Sequence, residues 1–441
     1  MMQNDRDALI RAALTPSRDV QLPADLEGAI YMTLLATPQR RPRLVGLGLG
    51  RRLPQVPSAL AWIVVAALLA AALAIFVIAS RPNPSILGDI LNYHGGPGLT
   101  GVMPGPGPKG TVGIGWQVSL NGPLTALSMP LVQDQRVFVA DGRGSITTID
   151  AATGDVLKSN NRFGSIPGTP VIVANRLIVA ADIGVVVALD VATGAEEWRH
   201  EIGGPTTAPL ATLGEVVLVG SQDGFVHLLD AATGSELRKV DAGGSVERSP
   251  AISDGIAYVG ASGGRLTAFE VATGAIRWTI ELGDGEVLTP AATDGVVYVA
   301  HGPLDLSKPH EVVAVDAADG SVRWQWPGKT VKRLFLAGVS DGSVFVTSED
   351  DNVYRVDAAT GAGDVFFATG GSIETLAAIS DGTVYVTSSD RHVYAIDEAS
   401  GAKKWSIAVE GSPTMPVVTG GRVFVGTDLG KVIAIGGTAA H

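Results

Sequence analysis

The sequence predicts an all-β protein: an eight-bladed β-propeller of four-stranded blades, preceded by a single transmembrane helix and a short N-terminal tail. Three observations carry the propeller. A short phrase recurs at a period near 40 residues, each period holds three or four short β-rich runs, and the first and last pieces are complementary fragments of one more repeat. A separate apolar run of 21 residues marks the helix.

Residues 1–57 read as a short cytoplasmic tail. Leu26, Ile30, Leu34 and Leu35 fall near one helical face, and Pro38 ends that pattern. An Arg- and Gly-rich stretch follows, suited to lying on anionic lipid or to docking a cytoplasmic partner. Residues 58–80 read as the transmembrane helix. The run "ALAWIVVAALLAAALAIFVIA" (59–79) carries no charge and no Pro. As a helix it spans ~32 Å, about one hydrocarbon thickness. Arg40, Arg41, Arg43, Arg51 and Arg52 precede it, and the first acid after it is Asp89. Positive charge stays inside, so the N-terminus is expected in the cytoplasm and the bulk of the chain outside. A tail of this length is too long for the basic region of a cleaved signal peptide, so the segment reads as an uncleaved signal-anchor in the plasma (inner) membrane. Residues 81–115, dominated by Gly and Pro with no apolar period, read as a linker.

From residue 116 to 436 the repeats follow. Their acidic anchors are Asp150, Asp190, Asp230, Glu270, Asp316, Asp357 and Asp397, spaced 40, 40, 40, 46, 41 and 40 apart. In "ALDVATGAEEW" and its variants, the Asp ends a third strand and opens a turn, and the Gly closes it with positive φ. Trp198, Trp278, Trp324 and Trp405 then begin outer strands and are expected to pack between blades. Recurring once per blade, these carboxylates are structural and not a catalytic set. Blade count follows from the ends. "GIGWQVSL" around Trp116 is an outer strand with no blade before it, and "VIAI" near the C-terminus is a third strand with no outer strand after it. Together they complete an eighth blade and remove the free edges.

The chain is acidic, with net charge −12, which disfavours a nucleic-acid partner. It has no Cys, so disulfides, Cys-ligated zinc, iron–sulfur clusters and a Cys nucleophile are excluded.

The period, the "D-A-x-T-G-x-x-x-W" phrase and the preceding "S-P-x-x-x-D-G-x-V-Y-V-G" phrase resemble the pyrroloquinoline-quinone-like (quinoprotein-type) β-propeller repeat family. The chain is closest in character to its non-enzymatic members that help assemble outer-membrane proteins. The family's dehydrogenases imply a cofactor held between a Trp and adjacent cysteines, with calcium on Glu, Asn and Asp. No cofactor residue carries over here: Cys is absent, and the repeat tryptophans belong to outer strands.

Two places break the repeat. "HGPLDLSKPHE" (301–311) lengthens one blade between its second and third strands. Its His301, Asp305 and His310 are metal ligands by type, but their spacing fits no zinc signature, so a surface or partner-contact loop is expected and no metal. Just before the inner strands, where most blades carry small or apolar residues, stand Glu247, Arg248, Lys332, Arg333 and Glu374. They are expected at the channel mouth, either pairing with one another or forming an anion or peptide-carboxylate site. The expected function is a membrane-anchored extracytoplasmic module that binds or scaffolds a protein or polysaccharide of the envelope, with no cofactor. The alternatives are a minimal pyrroloquinoline-quinone- and calcium-dependent oxidoreductase, and a transmembrane sensor with the propeller as input.

Overall fold

A computed structural model describes residues 89–161 and 163–437. The expected tail and transmembrane helix lie outside these residues. Among the described residues no helix is long and apolar enough to cross a membrane.

Eight antiparallel sheets form the fold, and each is a blade. In chain order the blades occupy residues 131–161, 171–201, 211–241, 251–281, 286–327, 334–368, 378–408 and 417–437, here blades 1 to 8. Blade 8 is completed by Val112–Ser119, which pairs antiparallel with Lys431–Gly437 from Val112 opposite Gly437 to Ser119 opposite Lys431. The expected closure is therefore present. Blade 5 carries an additional short strand, Glu286–Val287, against Gly302 and His301. Second and third strands are buried almost throughout, while outer strands alternate exposed and covered residues. Period-2 apolar runs bounded by Gly produce this pattern, because each middle sheet face packs on a neighbouring blade.

The repeated phrase acts as expected. The Asp150 carboxylate accepts from the amides of Ala152 and Thr153, both at 2.9 Å. Gly361, with φ 73°, closes the corresponding turn of blade 6, and a Cβ there would lie 2.8 Å from the Trp324 ring. Its glycine is thus required by both backbone and neighbour. The Trp324 indole N–H donates to Ala358 O of the next blade at 2.9 Å, and Trp116, Trp198 and Trp278 make the equivalent bond to Ala151, Ala231 and Ala317.

One expectation is corrected. Residues 89–106, assigned to a linker on composition, run inside the ring and meet every blade in order. Ile90 bridges Val132 of blade 1, and Leu91 O accepts from Ile172 N of blade 2. The Asn92 side chain accepts from Thr212 Oγ1 of blade 3 at 2.6 Å. Pro97, Gly98, Thr100, Gly101 and Pro106 then offer carbonyls to Ile252, Ala292, Val339, Ile379 and Gly421 of blades 4 to 8. Ile90, Tyr93, Leu99 and Met103 are buried. Gly is needed because the channel wall is too near for a side chain: a Cβ on Gly98 would stand 2.7 Å from Ala292 O. The composition of a linker is here the composition of a close backbone approach.

Candidate functional site

Most of the residues singled out in the sequence gather between blades 4 and 7, on the face bearing the outer-to-inner and second-to-third strand connections. Two cavities lie there. The larger, about 940 Å³, is lined by Glu247, Arg248, Glu286, His301, Asp305 and Arg333, among others. The smaller, about 160 Å³, is lined by Arg248, Arg333, Glu349, Glu374, an apolar set including Leu288, Leu336 and Leu376, and Tyr93. Arg248 and Arg333 line both. Tyr93 comes from the segment inside the ring, so the smaller cavity has a wall supplied by that segment.

Arg248 donates through Nε to Glu286 at 3.0 Å, and both side chains are largely buried. Glu286 sits on the added strand of blade 5, whose residue 286 also bridges Ser262 of blade 4. This pair therefore ties two blades together at the cavity rim. The mutual pairing expected among the charges is realised for Arg248, but with Glu286 and not with a residue named from the sequence. Glu286 stands just before the recurring Pro, so the criterion that found Glu247 also reaches it. Glu247 accepts from Ser245 Oγ at 3.0 Å. Arg333 is partly buried, Glu374 is exposed, and Lys332 is exposed and lines neither cavity.

The insertion of blade 5 brings two buried histidines together. His301 is 5% exposed, and neither ring nitrogen has a hydrogen-bond partner. Its Nδ1 is 3.8 Å from the Glu311 carboxylate. His310 donates through Nε2 to Pro303 O at 3.2 Å, which leaves Nδ1 unpartnered. Burial holds the His310 pKa below its ordinary value, and the nearby Arg333 and His301 act the same way. Asp305 lies in the exposed loop and accepts from Ser307 N at 2.9 Å, which together with the Ser307 hydroxyl keeps its carboxyl below the usual range. Among the described residues no three His, Asp or Glu side chains converge as metal ligands.

The quinone cofactor implied by the repeat family can be tested against these residues. It requires a tryptophan platform near the axis. Trp116, Trp198, Trp278, Trp324, Trp326 and Trp405 all lie on outer strands. The axis is threaded by residues 89–106, packed to backbone contact. The described residues do not fit such a group. Tyr93 and Glu349 escaped the sequence reading. Tyr93 lay in the supposed linker, and Glu349 sits in a second-to-third strand turn that looks like any polar turn.

A family model described as "Outer membrane protein assembly factor BamB" matches residues 110–221, 183–330 and 310–439. No curated protein matches the chain. Among solved structures, BamB from Moraxella catarrhalis is similar at 20% identity, covering 74% of this chain and 100% of that one, with a TM-score of 0.61. The computationally designed Ika8 protein is similar at 20% identity, covering 72% and 98%, with a TM-score of 0.63. The quinohemoprotein alcohol dehydrogenase ADHIIG from Pseudomonas putida HK5 is similar at 13% identity, covering 80% and 81%, with a TM-score of 0.63. At these identities the likeness concerns the fold.

Proposed function

The chain belongs to the outer membrane protein assembly factor BamB family of β-propellers, and on that footing we propose that it is a membrane-anchored extracytoplasmic module that binds or scaffolds an envelope partner without catalysing a reaction. The observation that carries this reading is the occupied axis. A propeller enzyme needs its axial space for substrate and cofactor, and here residues 89–106 bond to all eight blades. The recognition surface is then the charged face over blades 4 to 6, with the 301–311 loop beside it. A ring with an irregular, cavity-bearing sector suits selective binding.

The anchor rests on the sequence: an uninterrupted apolar run at 59–79, preceded by Arg40, Arg41, Arg43, Arg51 and Arg52 with no acid among them. A reporter active only in the cytoplasm should work when fused to the N-terminus and fail when fused after Ala440. The reverse pattern overturns the topology. The second reading is the quinone-dependent oxidoreductase, favoured by the likeness to ADHIIG. The fragment 81–441, incubated with pyrroloquinoline quinone and calcium, should reduce no dye in the presence of alcohols or aldoses. Turnover that survives high salt would replace binding with catalysis.

A further inference from the structure

The smaller cavity presents an unusual balance of groups. Arg248 is neutralised by Glu286. Arg333, by contrast, has no ion-pair partner among the described residues, and neither has Glu349 or Glu374. Arg333 and Glu349 are held side by side, since Glu349 N donates to Arg333 O at 3.2 Å. One cation and two carboxylates without an ion pair, Glu374 accepting only from Ser372 Oγ at 3.2 Å, thus face a space whose further lining includes Leu288, Leu336 and Leu376. Tyr93 closes part of it, and its fully buried setting keeps its hydroxyl protonated. A volume of about 160 Å³ has room for a compact molecule and not for a folded chain.

Charges of both signs beside an apolar wall suit a ligand that carries the complementary charges on one carbon, because each charge then gains a charge-assisted hydrogen bond. We propose that this cavity binds a free zwitterionic α-amino acid with an apolar side chain. Its carboxylate meets the Arg333 guanidinium, its ammonium meets Glu349 and Glu374, and its side chain covers the leucines. The proposal rests on the binding reading given above and deepens it. Arg suits the carboxylate because its planar donors engage both oxygens.

Calorimetric titration of fragment 81–441 with L-leucine, N-acetyl-L-leucine and L-leucinamide tests it. Leucine should bind saturably, and each derivative, having lost one charge, should bind at least roughly tenfold more weakly. Arg333→Gln should weaken leucine by a similar factor, and Glu349→Gln with Glu374→Gln together should do likewise. Arg333 is partly exposed, so the variants should melt as the parent does, which separates lost binding from lost folding. No saturable leucine binding, equal binding of leucinamide, or indifference to Arg333→Gln overturns the assignment. Quinone-dependent turnover of the same fragment instead overturns the reading beneath it.

Discussion

His94 adopts a left-handed backbone, φ 49°, deep in the ring. Its Nε2–H is shared between Ala337 O at 3.0 Å and Ala377 O at 2.9 Å, so one imidazole joins blades 6 and 7 to the inner segment. Burial outweighs these carbonyls and lowers its pKa to about 4. The folded value is below the unfolded one, so protonation favours the unfolded chain. The contribution is complete above about pH 6.5 and is lost as pH falls through about 4. Across that window it amounts to roughly 3 kcal/mol at ~1.4 kcal/mol per unit. The repeat-turn carboxylates, such as Asp150 and Asp357, are also held below their usual range, chiefly by turn amides and hydroxyls, but their loss comes at lower pH. Melting temperature should therefore fall between pH 6.5 and 4 in the wild type. In His94→Gln it should start lower and stay flatter over that range. Parallel slopes for the two proteins would refute the assignment. Nothing in the sequence marked His94, because a buried role inside a Gly/Pro-rich stretch has no period to betray it.

At the scale of elements, what was legible is what repeats. The Asp-to-Gly turn, the Trp contact and the completing strand Val112–Ser119 each follow from a fixed spacing, and spacing survives into structure because each blade solves the same packing problem. The repeats without Trp show the same solution in other residues. In blade 3 the position is Arg238, whose guanidinium donates to Val271 O of blade 4 at 2.7 Å while its stem lies on Gly274. In blade 6 the aromatic ring on the next turn is Phe366, set against Gly401. From Trp116 through Phe366 the recurring feature is a large side chain laid over the next blade's glycine, with Trp its commonest form; Trp405 packs instead on Tyr385 of its own blade. Legibility ended where chemistry depends on contacts between different repeats. Arg248 was visible, but its partner Glu286 depended on blade 5 gaining a short strand that bridges to blade 4. Arg333 and Glu374 were both named from the sequence, and the structure adds Glu349 and Tyr93 to the same cavity wall.

At the scale of the molecule, residues 89–106 and Val112–Ser119 make two different closures from one stretch of chain. The outer strand closes the ring at its rim, and the inner segment closes it at its axis. On composition alone, deleting 116–122 should destabilise the domain far more than deleting 88–110. The structure gives the second deletion a substantial cost of its own. The inner segment satisfies a backbone group in the inner region of seven blades and a threonine hydroxyl in blade 3. It also buries Ile90, Tyr93, Leu99 and Met103. Each such side chain contributes roughly 1.5–3 kcal/mol, and the bonds about 1 kcal/mol apiece. Water entering the emptied channel would rehydrate the exposed amides and return much of the hydrogen-bond part, so several kcal/mol should remain. A fragment beginning at residue 108 keeps the outer strand and should remain a closed ring. It should melt about 5–10 °C below a fragment beginning at residue 81, given the entropy of unfolding a domain of this size. A fragment beginning at residue 120 loses both closures, exposes an edge in blade 8, and should unfold over a broader transition or aggregate. Calorimetry of the three decides. If the fragments from 81 and 108 melt together, the inner segment is a passenger in the channel and the occupied axis loses its structural meaning.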